Sequence, residues 1–208
     1  MAKFIAISGP CHSGKSSLCM NLMRRYRDNK DILIIQDLQD KVWRDLVDKC
    51  EFSEFTEVYS DRSYLFMYIS RWVEEYISIY ERYKDDDSIK VVIYDGSYLD
   101  ILIYSLLHMW FHYPAKDIQG KMISRLLSME GTLDKIYMVR PNDELYPVER
   151  GALTLRQRMA DFNRTRIMET SLYDTYRKRE DVEDLSDDQV VSESMIIDIL
   201  RKDYGIEI

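Results

Sequence analysis

Cysteine is scarce in this chain. Cys11, Cys19 and Cys50 are the three in 208 residues, and no two form a CxxC pair. An odd count without pairing fits reduced thiols rather than a disulfide framework. No unbroken apolar run of about 18 residues is present, which argues against a membrane-spanning helix, and no secretory leader opens the sequence. The expectation is a cytoplasmic protein with no membrane partner. Positive charge is not in surplus either. A formal charge of −8 counts against a broad nucleic-acid surface, although a local basic patch is compatible with it. Internal repeats and low-complexity tracts are missing too. What is there is 46% hydrophobic content with mixed charges, at a length that suits one α/β domain over residues 1–208.

The most informative stretch is Gly9-Pro10-Cys11-His12-Ser13-Gly14-Lys15-Ser16-Ser17. Two glycines five positions apart let the backbone curl so that several N–H groups point at the β- and γ-phosphates of a nucleoside triphosphate. Lys15 adds a mobile charge, and the Ser16 hydroxyl can complete a magnesium shell. Gly9, His12, Ser13, Gly14, Lys15, Ser16 and Ser17 are therefore the candidate ATP-binding residues. Their placement supports this. Phe4-Ile5-Ala6-Ile7 reads as a buried strand before the loop, and Leu18, Leu22 and Met23 repeat at helical spacing after it. Cys11 lies in the loop, so its alkylation is expected to block nucleotide binding.

Further apolar runs stop in polar residues. Ile32-Leu33-Ile34-Ile35 ends at Gln36-Asp37, Val91-Val92-Ile93-Tyr94 at Asp95-Gly96-Ser97, and Ile136-Tyr137-Met138-Val139 at Arg140-Pro141-Asn142-Asp143. Helical segments between them give a β-α-β rhythm, which predicts a mostly parallel sheet covered on both faces. A long helix is expected from about Ser63 to Lys84, capped by Asp61, with Tyr64, Tyr68, Trp72, Tyr76 and Tyr80 four apart. Core packing is the favoured role of that stripe, and base stacking by Tyr64 or Tyr68 the alternative. Arg62 and Arg71 border it, as substrate contacts or as solvated charge. The segment Leu99–Phe111 is apolar on nearly all sides, so it is either buried or the contact of a homodimer. His108 and His112 share its face, but without a third ligand they are not read as a metal site. Asp85-Asp86-Asp87 reads as a solvated connector. Ser186-Asp187-Asp188-Gln189 resembles a capping box before a last helix carrying Val190, Val191, Met195, Ile196, Ile199 and Leu200.

Chemistry attaches to the strand ends. Asp95 has the position of the carboxylate that completes magnesium coordination beside Ser16. Asp37 is either the acceptor of a proton from a substrate hydroxyl or a helix cap. After Arg140 come Arg150, Arg156, Arg158, Arg164 and Arg166, a cluster suited to a closing lid over residues 142–166, with Gly151 as a hinge. Guanidinium groups brought in this way stabilise the charge on a moving phosphoryl group and exclude water. Lys15, Asp37, Asp95, Arg156 and Arg158 are thus the candidate catalytic residues, with Arg150 and Arg156 also reaching ATP.

Phosphate loop, Asp95-Gly96-Ser97 and arginine segment, in this order, resemble the phosphate-loop nucleoside and nucleotide kinases. Asp134-Lys135-Ile136-Tyr137-Met138-Val139-Arg140-Pro141 with Tyr146-Pro147-Val148-Glu149-Arg150-Gly151 is similar to their thymidylate-kinase-like and NadR-type nicotinamide-riboside-kinase-like branch. The resemblance implies a three-layer α/β/α P-loop NTPase fold with a central five-stranded, mostly parallel sheet and an arginine-bearing lid. It also implies ATP with Mg2+, and an acceptor bound opposite the loop. Gly96 stands where the branch usually carries arginine, and Gln36-Asp37-Leu38 where deoxynucleoside kinases carry a Glu-Pro pair. The expected activity is transfer of phosphate from ATP to a nucleoside, a nucleotide or a related small hydroxyl compound. Two alternatives stay open: a kinase acting on 5-hydroxymethyluracil within DNA, which the negative charge disfavours, and a non-kinase ATPase switch.

Overall fold

The computed structural model describes residues 1–10, 13–36, 38–50, 62–109, 116–140 and 168–207. In chain order these form β1 (Lys3–Ser8), α1 (Lys15–Arg25), β2 (Ile32–Ile35), α2 (Leu38–Cys50), α3 (Arg62–Tyr83), β3 (Val91–Asp95) and α4 (Tyr98–Met109). There follow α5 (Lys116–Leu127), β4 (Lys135–Met138), α6 (168–176), β5 (Val182–Asp184) and α7 (Gln189–Tyr204).

The five strands pair in parallel into one sheet in the order β2-β3-β1-β4-β5. Alternation along each strand divides the core into two layers. Phe4 and Ala6 of β1, with Val92 and Tyr94 of β3, face α2, α3 and α4. Their neighbours Ile5, Ile7, Val91 and Ile93 face α1 and α7. The result is the expected helix–sheet–helix sandwich. Ile5, Ile7 and Ile93 are fully buried, and truncating any one to alanine costs about 2–5 kcal/mol.

β1 lies at the centre. The connection after it runs to the β2 edge, whereas the one after β3 crosses β1 to reach β4. The strand order reverses here, and ligands of open α/β sheets bind at the carboxyl ends beside such a reversal. The phosphate loop leaves β1 at this place.

Four strands match the apolar runs, and the fifth, Val182–Asp184, does not come from one. It is a half-exposed edge strand of three residues, so it lacks the buried apolar signature. α3 matches the expected long helix, and the core reading of its stripe holds for Tyr68, Trp72 and Tyr76, which are all buried. Tyr76 stacks on Tyr94 with ring centroids 4.4 Å apart. Burial of Tyr68 removes it as a base-stacking platform, and Arg71 is exposed. The side chains of Arg62 and Tyr64 lie outside the described ones, as do Asp61, Trp110 and Phe111. α4 is buried through Leu99, Ile101, Leu102 and Ile103, so packing within the chain takes up this first part of the apolar segment.

The start of α7 corrects the expected capping box. Asp188, not Ser186, is the cap, accepting hydrogen bonds from the N–H groups of Val190 and Val191 at 2.8 and 3.1 Å. The Ser186 hydroxyl instead accepts from the Asp188 N–H. Val190 and Val191 fall in the exposed first turn, 74% and 47% accessible, and the packing face begins at Ser192 and Ile196.

Candidate active site

The loop after β1 is shaped by glycines. Gly9 has φ +150°, and a Cβ there would sit 2.7 Å from the Val139 carbonyl oxygen, so the backbone passes too close to β4 for any side chain. Gly14 is left-handed at φ 91° and forms the N-cap of α1. The Ser13 N–H and the Lys15 ammonium both donate to the Pro10 carbonyl, at 3.1 and 3.3 Å, which closes the loop on itself. The N-terminus of α1, with its N–H groups and positive dipole end, thereby opens into a cleft lined by Lys15 and Ser16.

Five further elements, β3, α2, α3, α4 and α6, complete that cleft. Asp95 ends β3 and is in register with Ile7, so its carboxylate reaches the same edge as the loop. Leu38 and Gln39 from α2 and Trp72 from α3 contribute to the cleft lining. Gly96, Asp100 and Tyr104 of the β3–α4 segment, with Glu169 and Tyr173 of α6, complete it. The Trp72 and Tyr104 rings meet edge to face, with centroids 5.7 Å apart and planes at 72°. The structure therefore brings Lys15, Ser16 and Asp95 to one cleft, with Ser13, Gly14 and Ser17 in the adjoining loop and first turn.

Behind the cleft sits a polar cluster that the motif reading missed. Asp100 is 7% exposed, and donors from three elements converge on it. Ser8 Oγ of β1 donates to its Oδ2, as do the Ser97 N–H and Oγ at 2.6 and 2.9 Å. The Gly9 N–H approaches Oδ1 at 3.4 Å, and the Tyr173 hydroxyl donates to it at 2.8 Å. Charge-assisted bonds of this kind fix geometry strongly in a buried setting. Ser97 also accepts from the Leu99 N–H, so Ser97-Tyr98-Leu99-Asp100 is a capping box that starts α4. That S-x-x-D spacing is the signal in the sequence that could have found it.

Electrostatics separate usable from inert groups. Burial pushes the Tyr98 phenol up to about 12, and burial raises the Tyr76 phenol well above its ordinary value. Both remain neutral near pH 7, so neither serves as a base. Arg140, the first arginine of the basic cluster, is exposed and paired with Asp184 at 2.7 Å, tying the end of β4 to β5. Cys11, His12, Asp37, His112, Arg150, Arg156, Arg158 and the rest of the expected lid lie outside the described residues, as does the side chain of His108.

Sheet order, layer arrangement and loop placement define a fold shared with phosphate-loop nucleoside and nucleotide kinases. Three solved structures illustrate it. Thymidylate kinase from Candida albicans aligns with a TM-score of 0.59 at 12% identity, over 97% of this chain and 92% of that one. Deoxyadenosine kinase from M. mycoides with bound dCTP aligns at 0.59 and 13%, over 95% and 98%. The NadR protein in complex with NR aligns at 0.59 and 14%, over 100% of this chain and 53% of that chain. No protein-family model and no curated protein sequence matches the chain. The likeness is one of fold, and it bears out the architecture implied by the sequence motifs.

Proposed function

We propose that the chain is an ATP- and magnesium-dependent phosphotransferase acting on a nucleoside, a nucleotide or a related small hydroxyl acceptor. The observation that carries this reading is the convergence of Lys15, Ser16 and Asp95 on one cleft whose lining also includes the paired rings of Trp72 and Tyr104. Charge-binding groups and aromatic surface within one cleft suit a triphosphate beside a ring-bearing acceptor. Nucleoside and nucleotide kinases with the same fold support it.

The residues fit a magnesium ion. A serine hydroxyl and a carboxylate are hard oxygen donors, and among the described residues no group of three or more His, Cys, Asp or Glu forms a metal cage. Magnesium bound by one or two protein oxygens and by substrate phosphates matches that sparse set. When bound, it neutralises charge on the β- and γ-phosphates.

In the reaction the acceptor hydroxyl oxygen attacks the γ-phosphorus in line. The new O–P bond forms as the bond from that phosphorus to the β,γ-bridging oxygen breaks, and ADP leaves. Lys15 and the loop N–H groups hold the β- and γ-phosphates. Asp37, which follows β2 in the sequence, takes the acceptor proton. Arg150, Arg156 and Arg158 close over the transferring group, with Arg150 and Arg156 on ATP. The site suits a protein working in the cytoplasm, where ATP is abundant.

Measuring ATP consumption against nucleosides, nucleoside monophosphates, nicotinamide riboside and DNA containing 5-hydroxymethyluracil tests the reading. Turnover that depends on one of these acceptors is expected. Hydrolysis indifferent to all of them, and stimulated by a protein or DNA instead, would point to an ATPase switch.

A further inference from the structure

We infer that Asp100 is a positioning residue for the nucleotide: its buried carboxylate fixes the point where β1 becomes the phosphate loop, and ATP affinity depends on it. This rests on the ATP site proposed above and deepens it. Ser8 and Gly9, the last residue of β1 and the first of the loop, are both bonded to this one carboxylate, 92 and 91 residues further along the chain.

Five donors meet its two oxygens: Ser8 Oγ, the Ser97 N–H and Ser97 Oγ at Oδ2, and the Tyr173 hydroxyl and the Gly9 N–H at Oδ1. A carboxylate offers about four lone-pair sites, so this one is saturated and has none left to take a proton from an acceptor. Although Asp100 borders the cleft, it therefore acts through the loop and not on the substrate. The end of β1 is also held by its neighbours in the sheet. The Gly96 N–H donates to the Ile7 carbonyl and the Val139 N–H to the Ser8 carbonyl, both at 2.8 Å. Asp100 carries that order one residue further, to the Gly9 N–H. The loop's remaining N–H groups can point at a triphosphate only if the loop starts from the right place, and a small displacement at its root misaims them all.

Asp100→Asn separates positioning from packing. The amide keeps the shape of the side chain but turns one acceptor into a donor. Hydroxyls can reverse to accept from it, whereas the backbone N–H groups of Ser97 and Gly9 cannot. The Ser97 N–H lies at 2.6 Å and the Gly9 N–H at 3.4 Å, so setting the amide nitrogen against Ser97 is the costlier choice. The nitrogen therefore turns toward Gly9 and Tyr173, and the Tyr173 hydroxyl reverses to accept from it. The tie to α6 survives while the tie to the Gly9 N–H becomes a donor–donor conflict.

The experiment measures the binding of ATP with magnesium to the full chain and to its variants by titration calorimetry, alongside their urea midpoints. Asp100→Asn is expected to raise the dissociation constant roughly ten-fold or more. Ser8→Ala removes one contact at the loop's root and keeps the carboxylate, and is expected to raise it about three-fold. Ile196 is fully buried in the layer between the sheet and α7, away from the loop's root, so Ile196→Val should lower the midpoint and leave the dissociation constant within about two-fold. Parent affinity in Asp100→Asn, or in Ser8→Ala should Asp100→Asn fail to fold, overturns this inference and leaves the kinase reading standing. An Ile196→Val variant that weakens ATP as much as Asp100→Asn also overturns it, because lost stability would then account for the effect. A parent chain that binds no ATP overturns the inference and the kinase reading together.

Discussion

Tyr173 donates a 2.8 Å hydrogen bond to Asp100 Oδ1, joining α6 to the point where β1, the phosphate loop and α4 meet. Both side chains are buried, at 2% and 7% exposure, so the bond is shielded from competing water. Tyr173→Phe removes the donor while keeping the ring. A loss of about 1–3 kcal/mol in unfolding free energy is expected, with the chain still folded. Urea titration of the two proteins checks this, and unchanged midpoints would show that the bond contributes nothing.

Gly9→Ala probes the close pass of the loop. The added methyl would meet the Val139 carbonyl oxygen at 2.7 Å in a backbone conformation, φ +150°, that alanine seldom adopts. The carbonyl is backbone and cannot rotate aside. The variant should lose at least several kcal/mol of stability or rearrange its loop, seen as a lowered thermal midpoint together with weakened ATP binding. A variant that matches the parent in both would contradict the close approach.

Acid should unfold the protein partly through Asp181. Arg179 Nε and Nη2 donate to its two oxygens at 2.8 and 2.9 Å, and chiefly those bonds hold its carboxyl below the ordinary 3.8. Because the folded value is depressed, the pairing contributes fully above about pH 4 and is lost as the pH falls through the folded value. Asp181→Asn should flatten this part of the stability profile at pH values below the ordinary carboxylate range, measured by urea midpoints. A profile with unchanged slope would remove Asp181 from the acid response.

Asp95→Asn should raise the magnesium concentration needed for half-maximal activity by roughly ten-fold, since a neutral amide is a poorer ligand for a hard cation. Magnesium titration at saturating ATP reads this directly. An identical titration curve would exclude Asp95 as an ion ligand.

Legibility in the sequence followed burial and motif specificity. The apolar runs announced β1, β3 and β4 because these are shielded on both faces, and β2 because all four of its residues are apolar although it lies at an edge and is largely half-buried; the loop's two glycines announced the candidate phosphate-binding turn. β5 stayed hidden because Val182, Glu183 and Asp184 form an edge strand with half of its surface in solvent. Asp100 stayed hidden for a different reason. Its role comes from Ser8 and Tyr173, which lie 92 and 73 residues away, and only the fold brings them together. Trp72 shows the limit of a two-way choice between core and contact. It is 7% exposed and packs in the α2–α3–α4 core, yet it also lines the cleft. Helical spacing places such a ring on a face but cannot say that the face ends at a cleft.

The most direct test of the account is transfer of the γ-phosphate from radiolabelled ATP to an acceptor, measured with magnesium for the parent chain and for Lys15→Ala. The account predicts labelled acceptor from the parent, and a loss of roughly 100-fold or more in the variant, whose fold should be intact because Lys15 is partly exposed at the start of α1. Equal labelling by the two proteins, or ATP turnover by the parent that never labels any acceptor, would contradict it.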